Sequence, residues 1–196
     1  MPIWDVVFEP HQNYTINPTE QKLNLYQKTE YLKQAIPTKF IPPRFNNLIT
    51  HVTGDDPAMR DDLLNWLAYI IQKRTKTQTA FVLHGRTGTG KGLLFTKVLQ
   101  PILGLAHCPM IMLDALDREF NEWIETGILV IIDETQISED IKKAKKRINK
   151  IKNLITEKHC LLKKKYVNAY QIENYVNFIF TSNEHDSIWI LSLIHI

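Results

Sequence analysis

One stretch decides the fold of this 196-residue chain: Thr79-Ala80-Phe81-Val82-Leu83-His84-Gly85-Arg86-Thr87-Gly88-Thr89-Gly90-Lys91-Gly92. Its apolar first half predicts a buried β-strand, and residues 93–99 after it have helical spacing. A glycine-rich turn that ends in lysine, between a strand and a helix, is typical of a phosphate-binding loop. Backbone N–H groups in such a turn surround phosphate oxygens, and the lysine reaches the β- and γ-phosphates. We therefore predict that residues 85–92 bind a nucleotide.

Strands and helices alternate along the rest of the chain. The pattern predicts strands over residues 110–113, 128–132 and 175–181, helices over 57–70, 117–124 and 141–155, and a hairpin over 161–171. Such alternation is typical of an α/β fold with a parallel sheet flanked by helices. We predict three parts: a loop-rich lead-in with one short helix (1–55), a helical segment packing on the core (56–76) and a nucleotide-binding core (77–196).

Polar residues follow two of the predicted strands, where ligands collect in parallel α/β sheets. Asp133 and Glu134 come directly after the apolar run 128–132, and Asn183 follows the last strand. Gly92 stands where a serine or threonine hydroxyl normally binds Mg²⁺, so we expect Asp133 to hold that ion and Glu134 to polarise a water. Asn183 would orient the water or sense the γ-phosphate. The alternatives are a solvated strand end for the two acids and an ordinary turn for Asn183.

Positive charge is concentrated in one part of the sequence. Residues 142–165 carry a net charge of +10, whereas the remainder carries −7, which indicates a polyanionic partner contacted at one place. Lys163, Lys164 and Lys165 sit on the predicted hairpin, with Tyr166 beside them as a stacking partner for a base. For the helix lysines in 142–146 the alternative is a solvated face.

Several classes of protein are disfavoured by composition. The sequence shows no apolar run long enough to span a membrane and no signal peptide, which predicts a cytoplasmic protein. Cys108 and Cys160 are far apart and fit a reducing compartment, as small apolar residues. The histidines have no metal-ligand spacing, so the only metal that we predict is Mg²⁺ carried by the nucleotide.

Six segments, taken in order, resemble superfamily 3 helicases, and above all the helicase domain of phage and plasmid primase-helicases. They are residues 65–72, 84–92, 120–123 and 131–134, the lysine hairpin, and residues 180–184. The resemblance implies an AAA+-like P-loop NTPase core, a hexameric ring, and ATP-driven translocation on single-stranded DNA during replication. It implies that ATP and Mg²⁺ are the cofactors, and the residues alone do not separate DNA from RNA.

The same resemblance gives roles to single residues. It makes Lys91 the phosphate-loop lysine, Asp133 the Mg²⁺-site acid, Glu134 the catalytic base and Asn183 the polar sensor. It also implies an arginine finger shortly after Asn183, but residues 184–196 contain no arginine. We therefore predict a C-terminally truncated domain of weak activity, and a genuine fifth strand is the alternative for this tail.

Two other functions stay open beside a replicative helicase. One is a non-catalytic module that binds nucleotide and nucleic acid, which Gly92 and the missing arginine favour. The other is a P-loop kinase or packaging ATPase, which would not explain the hairpin lysines.

Overall fold

The computed structural model describes residues 3–86, 88–133 and 141–183. Its N-terminal part contains β1 (Asp5–Val7), β2 (Ile16–Asn17), β3 (Lys22–Asn24), α1 (Glu30–Lys33), α2 (Pro43–Val52) and α3 (Pro57–Lys73). Next come β4 (Ala80–His84), α4 (Lys91–Leu94), a π-helical turn (Phe95–Leu99) and α5 (Gln100–Leu103), which form one continuous helix, and then β5 (Met110–Met112). After β6 (Leu129–Asp133) follow α6 (Ile141–Thr156), β7 (His159–Lys164), β8 (Val167–Glu173) and β9 (Asn177–Ser182).

The central sheet is parallel and has the strand order β4-β9-β6-β5. Successive side chains of β6 point to opposite faces, as strand geometry requires. Leu129 and Ile131 join the core formed with α3 and the helix 91–103, whereas Val130 and Ile132 join the core formed with α6. The predicted α/β architecture, a parallel sheet flanked by helices, is therefore confirmed. β4 lies at the edge of the sheet, so its residues are mostly half-buried and not fully buried as predicted.

The sequence predicts that Asp55 or Asp56 caps α3, that Pro57 lies in its first turn and that Met59 belongs to its apolar stripe, and in the structure the cap is Asp56. The Asp56 carboxylate accepts hydrogen bonds from the backbone N–H groups of Ala58 and Met59, and Pro57 occupies the first turn. Leu63, Trp66, Leu67 and Ile70 are buried, whereas Met59 is exposed.

The predicted helix over residues 117–124 is wrong. Within this range the chain forms only a short 3₁₀ turn, Glu122–Ile124, and another, Leu113–Leu116, directly precedes the range. Between them, the Asn121 side chain accepts a hydrogen bond from the Lys163 backbone N–H at 2.7 Å and donates one to the Leu161 carbonyl at 2.9 Å. These contacts with β7 hold Asn121 outside helical geometry.

Residues 1–55 are more regular than the predicted loop-rich lead-in. β1 pairs in parallel with β3, β2 pairs with β3 in the antiparallel sense, and α2 contributes Ile49 and Val52 to the main core. The sequence also predicts that Pro101 breaks the helix, which is wrong: Pro101 lies in the first turn of α5, directly after the π-helical turn.

No helix within the described residues is long and apolar enough to cross a membrane. Cys108 and Cys160 are both free thiols, buried and half-buried respectively. Burial raises the pKa of Cys108 to about 12, so its thiol is neutral and packs as an apolar side chain.

Candidate phosphate-binding site and nucleic-acid interface

The glycine-rich loop leaves the carboxyl end of β4 and is fixed at both ends. The Gly85 N–H donates to the Ser182 carbonyl at 3.1 Å, which ties the loop to β9. Gly90 precedes α4 with φ +87°, and a Cβ there would lie 2.9 Å from Leu48 Cδ1 on α2. Gly88 also has a positive φ, of +88°. The loop therefore needs glycine at both positions for its backbone angles, and at Gly90 for its packing as well.

Lys91 turns back into the loop that precedes it. Its Nζ donates to the carbonyl oxygens of Gly85 at 2.5 Å and Arg86 at 3.2 Å, and to the Thr89 hydroxyl at 3.2 Å. The residue is only 9% exposed. Burial lowers the pKa of Lys91, and the nearby Asp133 carboxylate opposes that shift. The loop thus holds a cation among neutral oxygens, close to one carboxylate.

Asp133 ends β6 beside the carboxyl end of β9. The Thr181 hydroxyl donates a hydrogen bond to Asp133 Oδ1 at 2.5 Å, which orients the carboxylate. Because β4, β6 and β9 are parallel neighbours, their ends bring the loop, Asp133 and Thr181 to one edge of the sheet. The sequence predicted the loop and Asp133 as parts of the site but not Thr181, since threonine is an ordinary residue in a β-strand.

The other predicted site residues have different positions. Asn183 directly follows β9 at the same edge and is exposed, and Arg86 is exposed within the loop. Thr87 and Glu134 lie outside the described residues, as do residues 184–196 with the predicted truncation. Gly92 is the second residue of α4, and a Cβ added there would meet no atom within 4 Å. The site therefore has open space where the hydroxyl ligand is missing.

The predicted hairpin is confirmed as β7 and β8, which pair in the antiparallel sense. At its tip, Tyr166 is 91% exposed and has a positive φ of +64°, which is rare for an aromatic residue. The Lys165 ammonium lies 4.8 Å from the centre of the Tyr166 ring. The tip therefore presents a cation and an aromatic face together to solvent.

The three hairpin lysines are not equivalent. The Lys164 ammonium lies 2.6 Å from a Glu125 carboxylate oxygen, and this hydrogen bond raises the pKa of Lys164. Lys163 is half-buried and is anchored through its backbone by Asn121. Lys164 is thus already neutralised by a protein carboxylate, while Lys165 faces solvent. Asn121 is a residue whose positioning role the sequence did not reveal, because its partners lie 40 and 42 residues away.

Comparison with known proteins gives a relative in sequence and relatives in structure that are all named after NrS-1. A DNA primase-polymerase of Nitratiruptor phage NrS-1 is 32% identical over 164 residues, which are 83% of this chain and 22% of the relative. An apo structure of the NrS-1 C-terminal region (305–718) matches with a TM-score of 0.82 and 28% identity, over 92% of this chain and 43% of that one. The A form apo structure of the NrS-1 C-terminal region matches with a TM-score of 0.79 at 28% identity, over 93% of this chain and 43% of that chain. The chain thus spans less than half of each relative.

These relatives correct the prediction of a superfamily 3 helicase. The sequence relative is named as a DNA primase-polymerase, and the matched structures are the C-terminal region of that protein. The predicted ATP-dependent helicase function is therefore wrong, and the AAA+-like P-loop NTPase core is not supported. Assembly into a hexameric ring stays a prediction.

The family match covers more than half of the chain. The family's model, described as a family of unknown function, aligns with residues 83–189. That range begins in β4 and includes the glycine-rich loop, Asp133, the hairpin and β9. The chain therefore belongs to the family of unknown function DUF5906.

Proposed function

We propose that this chain is a domain of a DNA-replication protein that binds a nucleoside triphosphate with Mg²⁺, and also binds single-stranded DNA. One observation carries the nucleotide part: the Lys91 ammonium sits among carbonyl oxygens of a glycine-rich loop, next to the Asp133 carboxylate, at the carboxyl edge of a parallel sheet. Ligands of open α/β sheets bind at this edge.

The residues present fit a Mg²⁺-bound triphosphate. Phosphate oxygens would give Lys91 charged acceptors in place of the neutral carbonyls of Gly85 and Arg86, and hydrogen bonds between ions are the stronger kind. Mg²⁺ prefers oxygen ligands such as the Asp133 carboxylate and usually keeps several waters. Gly92 supplies no hydroxyl, so Asp133 would be the protein's ligand to the ion.

The hairpin tip supports the nucleic-acid part of the proposal. Lys165 can neutralise a phosphate of the strand, and the exposed Tyr166 ring can stack on a base without reading its sequence. The relative from phage NrS-1 is named as a DNA primase-polymerase, which favours DNA as the strand. The chain spans 22% of that relative, so we propose nucleotidyl transfer only for a longer protein that contains this domain.

The test of the nucleotide site is calorimetric titration of the chain with ATP and the other nucleoside triphosphates, with and without Mg²⁺. Lys91→Ala should abolish detectable binding, because the cation that faces the β- and γ-phosphates is lost. Lys97→Ala removes an exposed lysine from the same continuous helix and should bind as the wild type does. Asp133→Asn keeps an acceptor for Thr181 and should remove mainly the Mg²⁺ dependence.

Thermal melts of each variant show whether the loop still folds. Equal triphosphate affinity of the wild type and a folded Lys91→Ala variant would overturn the nucleotide site.

A further inference from the structure

A groove of about 1010 Å³ lies between α6, the turn after β5 and strand β7. Its lining includes five cationic side chains: Arg118, Lys146, Arg147, Lys150 and Lys163. It also includes three carboxylates: Asp117, Glu119 and Glu157. The groove is therefore polar, and its lining has a net positive charge.

The positive charges of the groove crowd one another. The Lys150 ammonium donates to the Leu116 carbonyl at 2.5 Å. Burial lowers the pKa of Lys150, Asp117 opposes the shift, and Lys146 and Lys163 lower it further. Lys146 on α6 and Lys163 on β7 line the same groove as Lys150, and their charges disfavour its own. An anion in the groove would relieve this repulsion.

Only part of this charge is compensated by the protein. Arg147 forms an ion pair with Asp117, and Arg118 forms one with Asp114. Lys150 has its carbonyl partner. Lys146 is exposed and belongs to the same wall as Asn149 and Asn153, which are also exposed. These three residues follow one another at spacings of three and four along α6, so they form a single stripe. A cation followed by two amides along one stripe suits phosphate and sugar oxygens.

The groove is continuous with the hairpin. Lys163 lines the groove, and Lys165 and Tyr166, two and three residues further along the chain, form the exposed tip. We propose that the groove is a second contact site for single-stranded nucleic acid, in which Lys146, Asn149 and Asn153 hold the backbone of a strand whose neighbouring nucleotides lie on the hairpin tip. This inference rests on the nucleic-acid part of the proposed function.

The experiment measures fluorescence anisotropy of labelled oligothymidylates of about four and about ten nucleotides, lengths within the range of single-strand site sizes. The wild type should bind the longer strand more tightly, because only that strand reaches both tip and groove. The double variant Lys146→Ala/Asn149→Ala should lose that gain, with about tenfold weaker binding of the long strand and little change for the short one. Replacing Lys165 and Tyr166 by Ala should weaken both.

The matched control is Lys145→Ala/Lys152→Ala, which removes two lysines of α6 that do not line the groove. This control should still bind the longer strand more tightly than the shorter one. A control that loses the gain as fully as the groove variant would overturn the inference, since net charge would then explain the effect. Equal wild-type affinity for both lengths would also overturn it while the proposed function stands, whereas no wild-type binding of either strand would overturn both.

Discussion

Gly90 and Gly92 lie only two positions apart, but a side chain would have room at only one of them. Gly90 has a φ of +87° and no room for a Cβ next to Leu48, whereas a Cβ at Gly92 would meet open space. The fold requires glycine at position 90, whereas glycine at position 92 leaves the site without a side-chain hydroxyl. Residue type therefore does not tell the two roles apart, but backbone angle and packing do.

Gly92→Ser should be tolerated and should strengthen Mg²⁺-dependent binding of a triphosphate. The hydroxyl would enter open space directly after Lys91, and serine is the better helix former by several tenths of a kcal/mol. Gly90→Ser should instead destabilise the fold by about 1–3 kcal/mol through overpacking and a strained φ. Urea unfolding measures the stabilities, and titration with and without Mg²⁺ measures binding. Unchanged Mg²⁺ dependence in folded Gly92→Ser would contradict the expectation.

His107 joins the N-terminal segment to the core as a neutral imidazole. Its Nδ1 lies 2.8 Å from the Thr126 carbonyl, which can only accept, so Nδ1 carries the proton. Its Nε2 accepts from the Gln27 N–H at 3.3 Å. Phe8 and Tyr26 lie against the ring, with centroids 5.5 and 5.2 Å away. Protonation would place a second N–H against the Gln27 donor.

Stability should therefore fall as the pH drops below the ordinary histidine pKa of 6.5, because burial lowers the pKa of His107 in the folded chain. Between the ordinary value and the lowered one, the unfolded chain binds a proton that the folded chain does not. Urea unfolding between about pH 7.5 and about pH 5 should show a steeper loss for the wild type than for His107→Gln. Parallel curves for the two proteins would refute this role of His107.

At the scale of elements, one buried amide organises the start of the central sheet. Asn177 begins β9 and is 1% exposed. Its Oδ1 accepts from the Thr77 N–H at 2.8 Å, and its Nδ2 donates to the carbonyls of Thr75 and Ile128 at 3.1 Å each. The residue thus ties the segment before β4 and the residue before β6 to β9.

Asn177→Ala should destabilise the chain by about 1–3 kcal/mol, because buried backbone groups would lose their partners. Asn168→Ala on the exposed face of β8 is the matched control and should change the unfolding free energy by less than about 0.5 kcal/mol. Chemical denaturation followed by tryptophan fluorescence gives both values. Similar losses at the two positions would show that the hydrogen bonds of Asn177 do not stabilise the sheet.

Elements that depend on residues next to one another in the sequence could be predicted from it. The apolar run of β6 and the Asp56 cap of α3 depend on neighbouring residues, and both have the predicted structure. The turn at Asn121 could not be predicted, because its conformation depends on contacts with β7 about forty residues later. The N-terminal sheet, with strands of only two or three residues, was missed for a similar reason.

The candidate site was predictable to the same limited extent. The glycines and Lys91 form a local pattern, and Asp133 directly follows an apolar strand. The Thr181 hydroxyl and the pairing of Lys164 with Glu125 are contacts between distant segments, which no local pattern indicates. The functional prediction went wrong at a further step, since motifs shared by different proteins of one architecture do not fix what the protein does.

At the scale of the whole molecule, the nucleotide site and the nucleic-acid site depend on different charged residues, so salt should affect the two sites differently. The chain has a net charge of only +3, but residues 142–165 carry +10 and hold both the hairpin lysines and α6. Lys91 lies outside this segment and is buried within its loop. Nucleic-acid binding should therefore depend on the basic segment and be insensitive to Lys91.

The logarithm of the affinity for single strands should fall linearly with the logarithm of salt concentration, with a slope of about −0.7 for each phosphate neutralised. Replacing Lys163 and Lys165 by Ala removes two cations and should make the slope shallower by about 1.4. Anisotropy titrations at several salt concentrations measure it. Lys73→Ala/Lys97→Ala, which removes two exposed lysines outside the basic segment, should keep the wild-type slope, as should Lys91→Ala. If the hairpin variant also kept that slope, phosphates would have to be neutralised elsewhere, and the tip would then contribute to binding through Tyr166 alone.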